Sequence, residues 1–458
     1  MTQKGKKWII SVFFLVVTLI FSLQYHYRVP YLDHWDTITL YASLKNGTFV
    51  LGDLFLLHGP HWHASGYAVL LALAEVTAME HWAESLASVV FAALGFLALA
   101  RMLDRCIGQT DLRQSTLWIY GISAFLYFSL DQAANWLWGW QVAVFISNAG
   151  ALWAIERLTK GVPTLLNTTL AAVATAISVY GFGTAWTLIP IGFALLILFG
   201  AYRSREGIYS LALWSALSAL LLFHFFSAFA NEKSVYIDQV PITLDFLDVT
   251  TYIGLTHFAV NFIASPLIGN TMRDVHITVP VTLIGLGILI WSVRALNKDR
   301  KTSVLLNLSP FLSLAIFALG SGLLTALGRW EEFGANQAFV DRHVTFGQFF
   351  WIAVFVLGVL ALVKRGAIPE KRSLVVFGLW LLFVLKITNI PGDVREHVER
   401  SIHIKEVARI LSEDYPDVKP TEYSRLYHLP QKASVEQNLK TMWTHKVGVF
   451  AQNREKRQ

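Results

Sequence analysis

The chain carries one cysteine, Cys106, in 458 residues, so no intrachain disulfide can form. Charge is also scarce. Only 15% of residues are Asp, Glu, Lys or Arg, against about 25% in a soluble domain, which excludes an ordinary soluble enzyme. No HExxH, no CxxC and no glycine-rich phosphate loop occurs, so the common metal-protease, zinc-ribbon and nucleotide-binding motifs are missing. Disorder and coiled coil are excluded by a hydrophobic content of 55%.

What is present is apolar length. Runs of about 20 apolar residues recur along the chain, each long enough to cross a bilayer. Lys4, Lys6 and Lys7 precede the run Trp8–Leu23. That run is long for a signal peptide and no small-residue cleavage site follows, so it reads as a retained first span. Further spans are expected near 83–103, 115–130, 141–157, 164–181, 185–201, 208–230, 276–296, 304–328, 344–363 and 373–390. Runs 64–79 and 249–265 are ambiguous, being short and bordered by Glu75 or containing His257 and Asn261.

Basic residues arbitrate, because short cytoplasmic loops concentrate Lys and Arg. Six clusters stand out: Lys4/Lys6/Lys7, Arg101/Arg105/Arg113, Arg157/Lys160, Arg203/Arg205, Arg294/Lys298/Arg300/Lys301 and Lys364/Arg365/Lys371/Arg372. All six fall on one side only if neither ambiguous run spans. The opposite short loops then hold just Arg28, Lys45, Lys233, Arg273, Arg329 and Arg342. The expected fold class is therefore an all-α polytopic membrane protein of about 11 transmembrane helices. Its N-terminus is cytoplasmic and its C-terminus extracytoplasmic, and runs 64–79 and 249–265 lie along the outer surface. Thirteen spans is the alternative. The expected organisation is a membrane domain, 1–390, with a long first outer loop, 24–82, and a small extracytoplasmic C-terminal segment, 391–458. Within that segment, 400–412 has one apolar helical stripe.

This topology gathers the unusual polar residues on the outer face. The first loop holds Asp33-His34-Trp35-Asp36, then His58-Gly-Pro-His61-Trp-His63. Later outer loops hold Asp131 to Gln141 with Asn135, then Tyr180 to Thr184, then Glu232, Lys233, Asp238, Asp245 and Asp248, and finally Arg329 to Arg342. Each has an ordinary reading. Asp33 or Asp36 suits a helix N-cap before Thr37. Three histidines at 58, 61 and 63 have spacing that suits Zn²⁺, but polar scaffolding is the commoner role, so no metal is expected, with a divalent cation as the alternative. Trp136, Trp138 and Trp140 read as an interfacial belt. Arg329 and Arg342 suit phosphate oxygens or a pair with Glu331, Glu332 or Asp341. Lys386 reads as snorkelling outward from the end of its span. With His224 it is almost the only ionisable residue inside the spans, which argues against an ion-coupled transporter.

The layout resembles the GT-C superfamily of membrane glycosyltransferases. The acidic motif Asp33-His34-Trp35-Asp36 follows the first span. The segment His58-Gly-Pro-His-Trp-His63 is similar to the His-Pro-Pro or Lys-Pro-Pro element of the mannosyl- and aminoarabinose-transferase branches. Ala326-Leu-Gly-Arg329 with Asp341-Arg342-His343 is similar to a Gly-Arg and Ser-Arg-Tyr pattern of bacterial membrane proteins grouped with them. The acids here are three apart rather than adjacent, one proline stands where the family has two, and no Trp-Trp-Asp motif occurs. The sugar and acceptor therefore do not carry over. The resemblance implies a polyprenyl-phosphate-linked sugar as donor and a glycan, lipid or protein acceptor, within the bacterial inner membrane. It also implies Asp33 and Asp36 in catalysis, Arg329 and Arg342 on the donor phosphate, and His58, His61, His63, Asn135 and Gln141 at the substrate. A lipid-linked sugar flippase or a non-catalytic component of envelope polysaccharide assembly is the alternative.

Overall fold

The structure is a computed structural model that describes residues 3–59, 61–108, 116–230, 244–269, 274–297, 302–363, 372–428 and 431–454. Glu232, Lys233, Asp238, Arg113, Arg273, Lys298, Arg300, Lys301, Lys364, Arg365 and Lys371 lie outside the described residues.

The chain is almost wholly helical. In order it forms α1 (Gln3–Tyr25), α2 (Trp35–Lys45), a hairpin of β1 (Leu57–His58) and β2 (His61–Trp62), α3 (Ala64–Thr77), α4 (His81–Gly108) and α5 (Thr116–Tyr127). Then come α6 (Ala133–Leu137), α7 (Val142–Leu158), α8 (Leu165–Val179), α9 (Leu188–Leu198), α10 (Arg205–Ala230) and α11 (Val249–Ile268). The last are α12 (Val275–Leu296), α13 (Thr302–Phe333), α14 (Asp341–Val363), α15 (Arg372–Asp414), α16 (Pro420–Tyr423) and α17 (Lys432–His445). Among the described residues, eight helices are long and apolar enough to cross a membrane: α1, α4 and α10 to α15. The protein is thus an all-α polytopic membrane protein. Run 249–265, expected to lie along the surface, forms one of these eight.

Two helices illustrate why the bundle holds together. Helix α14 is apolar all round and almost fully buried, the pattern of a central helix. Helix α1 instead keeps Ile9, Phe13, Val16 and Ile20 exposed at helical spacing, an apolar stripe suited to lipid. Small residues let backbones approach where helices cross. A side chain at Gly150 would meet Ala174 O at 2.6 Å, where α7 packs on α8.

Contacts between loops define two ends of the bundle. At one end Lys7 pairs with Asp104, Arg157 and Lys160 face Glu156, and Glu206 accepts from Leu165 N at 2.9 Å. At the other end Tyr27 N donates to Leu137 O at 2.9 Å and Ser65 N to Tyr180 O at 3.1 Å. The C-terminal segment joins this second end. Ser401 Oγ donates to Tyr25 O at 2.5 Å, Trp35 Nε1 to Leu426 O at 3.0 Å, and Gly448 N to Ala78 O at 2.8 Å. Helix α15 runs unbroken through the expected boundary at 390, about 65 Å at 1.5 Å per residue. It buries Ile404, Val407, Ala408 and Leu411 while Ile402 is exposed.

Buried charges correct one expectation. Lys386 does not snorkel: it is 1% exposed, pairs with Asp131 and donates to Pro266 O at 2.8 Å. Gln348 Nε2 donates to the other Asp131 oxygen at 3.2 Å. Glu84 and Glu156 are also buried within helices expected to span. The spans therefore hold more ionisable groups than Lys386 and His224.

Candidate active site

The site grows from a tight bend after α1. Leu32 takes φ 49°, a left-handed conformation costly for a branched residue, and one helical turn (Leu32–His34) then leads into α2. Neither Asp33 nor Asp36 caps that helix. His34 occupies the N-cap position and makes no side-chain cap bond. The two acids instead turn toward the hairpin, whose register pairs Leu57 with Trp62 and His58 with His61. Gly59 has φ 59°, the left-handed region that a turn residue here requires.

His58 lies between the acids. Its Nε2 is 3.5 Å from Asp33 Oδ2 and its Nδ1 is 3.3 Å from Asp36 Oδ2. Burial opposes ionisation of Asp33, but the hydrogen bond and charge of His58, with the charges of Arg342 and His428, outweigh it and hold the carboxyl well below its usual range. Burial would lower His58, yet its bonds to Asp33 and Asp36 prevail and raise it to about 9. His61 behaves oppositely. Burial, then the charges of His58, Arg329 and Arg342, push it down to about 3, while its Nδ1 donates to His58 O at 2.6 Å. Burial also lowers His63 well below its ordinary value. The acids thus favour the charged form of His58, and burial favours the neutral forms of His61 and His63 beside it.

Asp33, His58, His61, His63, Trp140, Gln141, Phe182, Arg329 and Arg342 line one small pocket. Seven of the nine side chains assigned from sequence are in or against it. Asp36 backs it through His58. Asn135 does not take part: its Nδ2 donates to Asp341 O at 2.7 Å and Thr345 Oγ1 at 2.6 Å. Asp341 is itself held by His397 Nε2 at 2.9 Å and Ala134 N at 2.9 Å, and Glu331 and Glu332 are exposed. Arg342 acts on Asp33, and Arg329 lies over the Phe333 ring at 5.3 Å.

A larger cavity of about 280 Å³ adjoins the pocket. Its wall is mostly apolar, with Leu222, Phe225, Phe226 and Leu324, and it shares His61, Arg329 and Arg342 with the pocket. Gly183 is there because a side chain would fall 2.8 Å from His61 Cβ.

Trp140 and Phe182 are the two lining residues that sequence reasoning missed. Trp136, Trp138 and Trp140 are buried rather than forming an interfacial belt. Trp140 stacks on His63 at 3.9 Å and 9°, and contacts His58 at 5.2 Å. Its flanking Gly139 and Gln141 were a signal for a tight turn at the site. Among the described residues, His58, His61 and His63 do not form a group able to share a metal ion, whereas His34, His81 and Glu84 do.

No family model matches the chain, and no curated protein does.

Proposed function

We propose that the chain is a GT-C-type integral membrane glycosyltransferase. It moves a sugar from a polyprenyl-phosphate carrier to an acceptor hydroxyl at the extracytoplasmic face of the bacterial inner membrane. One observation carries this reading. A carboxylate and two guanidinium groups, Asp33 with Arg329 and Arg342, line one pocket, and both arginines also line the adjoining apolar cavity.

The chemistry follows from that arrangement. The prenyl chain occupies the apolar cavity, and the phosphate meets Arg329 and Arg342. Counting His58 as protonated, the pocket and its backing Asp36 hold three positive and two negative groups. A donor phosphodiester carries one negative charge and balances them. Asp33 takes the proton of the acceptor hydroxyl. The oxygen attacks the anomeric carbon as the carbon–oxygen bond to phosphate breaks, and that electron pair leaves on polyprenyl phosphate. A single displacement inverts configuration. The leaving phosphate needs charge stabilisation, which two pre-positioned guanidinium groups supply. Trp140 and Phe182 offer aromatic faces for the sugar ring.

The topology that goes with this function has eleven spans, with N-terminus inside and C-terminus outside. Contacts at the two ends of the bundle support it, since the C-terminal segment bonds to residues 25–78. Both ends of α11 meet that same end: Gly254 packs on Trp330, Asn261 donates to Ala335 O, and Gly269 packs on Asp393. A helix touching one face at both ends lies along it, despite its length. A transporter reading draws on the buried Lys386–Asp131 pair, but Pro266 O and Gln348 also bind that pair and fix it in place.

The test uses purified protein in nanodiscs with a panel of radiolabelled polyprenyl-phosphate sugars, following release of free polyprenyl phosphate. Sugar-dependent release that is lost in Arg342→Ala supports the transferase. Binding of polyprenyl phosphate without release from any donor favours a flippase or scaffold.

A further inference from the structure

A second cluster lies behind the pocket, on the opposite side of the helical turn that presents Asp33. His34 and Asp33 are neighbours in sequence, yet His34 turns away toward α4. Its Nε2 is 3.5 Å from Glu84 Oε1, and His81 Nδ1 is 2.9 Å from Glu84 Oε2. One ligand atom from each of the three residues lies within 4.8 Å of the others. His34, His81 and Glu84 are 2%, 4% and 2% exposed.

The geometry points to a zinc site made by His34, His81 and Glu84. Two imidazole nitrogens and a carboxylate are a donor set that Zn²⁺ takes readily. Around a tetrahedral ion with ligands about 2.0 Å away, ligand atoms stand roughly 3.3 Å apart, close to the two separations measured here. Each Glu84 oxygen faces one histidine, so a bidentate carboxylate completes four donors without a further residue. The cluster is also poorly satisfied by the protein alone. His81 Nε2 is buried without a hydrogen bond, and His34 Nε2 meets Glu84 only in a long 3.5 Å pair. Ligation replaces the long His34–Glu84 contact with two short bonds to one ion.

The surroundings fit the same reading. Gly139 packs so tightly on Glu84 that a side chain there would fall 2.0 Å from Oε2. His34 and His81 rings meet edge to face at 5.2 Å, and Trp140 closes one side 6.2 Å from His34. The spacing His81 to Glu84 puts both ligands on one face at the first turn of α4. An ion here ties the turn before α2 to α4, and with it the backbone that carries Asp33. Its role is to position, and it touches no substrate. The site stands whether or not the protein transfers sugar.

The test is metal content and Co²⁺ spectroscopy on full-length protein purified without a polyhistidine tag. One zinc per chain is expected, and Co²⁺ exchanged into it should give visible d–d bands. His81→Ala and Glu84→Gln should weaken binding by more than the roughly 10–100-fold that outer-sphere changes alone cost. His63→Ala should leave it unchanged. If either ligand variant fails to fold, the zinc X-ray absorption spectrum of wild type decides. A shell of two imidazoles with oxygen supports the site. Three imidazoles assign the metal to the hairpin and overturn it. Absence of stoichiometric zinc together with absence of Co²⁺ bands also overturns it.

Discussion

Two buried polar centres stand at the same end of the bundle, and they are built differently. In the locked centre, Lys386 pairs with Asp131 while Pro266 O and Gln348 bind the two partners, and Asn135, Thr345, Asp341 and His397 form a second, linked set. In the open centre, Asp33, His58, Arg329 and Arg342 crowd like and unlike charges around a pocket that meets a cavity. Charges that satisfy one another join α14, α15 and the turn before α6. Charges around a space of about 10 Å³, beside a cavity of about 280 Å³, can meet a ligand seated in that cavity. The comparison teaches that buried charge marks function only where its partners leave a place for something else.

Substitutions in both centres and one titration break or sharpen that contrast. Asp33→Asn should lower transfer by about 10²–10⁴-fold, the range lost with a general base, while Asp36→Asn costs less because Asp36 sits behind His58. Arg342→Ala should cost about 10²–10³-fold in turnover, comparable to losing one preorganised donor to a developing anion. Steady-state release of polyprenyl phosphate reads all three, and melting of the aspartate variants should fall by no more than the few degrees that their pairing with His58 contributes. In the locked centre the effects reverse. Lys386→Met strands Asp131 and should destabilise by about 3–5 kcal/mol, and adding Asp131→Leu should recover most of it. Thermal unfolding in nanodiscs measures the difference. Asn135→Ala should cost about 1–3 kcal/mol, with specific activity of the folded fraction intact; a selective rise in KM would instead return Asn135 to the substrate.

The smallest expected effect is on pH. His58 is raised from 6.5 to about 9 in the fold. A group raised by its partners contributes stability that is fully present below 6.5 and lost as pH rises through 9. Melting temperature should therefore fall by a few degrees between those values, and His58→Gln should flatten the curve.

Much of this was legible in the sequence, for identifiable reasons. Apolar runs announce helices because a span must satisfy its own backbone. The lysine and arginine clusters gather the polar loops on one side, and the structure brings seven of the nine assigned side chains together. What was not legible depends on pairing across distant elements. Lys386 looked able to reach solvent because Asp131, 255 residues away, is not visible as its partner in sequence. Trp140 looked like an interfacial ring because burial by His63 and His58 is a tertiary fact. Asn135 sat beside the site in sequence, but its amide turns toward α14. Glu84 was absorbed into an apolar run although an ionisable residue there is a functional signal.

The account stands on Asp33 acting in catalysis rather than in holding the donor or the fold. The direct measurement is polyprenyl-phosphate binding and sugar transfer on the same Asp33→Asn preparation. The account predicts affinity within about threefold of wild type and transfer reduced by at least about 100-fold. Transfer at the wild-type rate, or binding and transfer lost together, would contradict it.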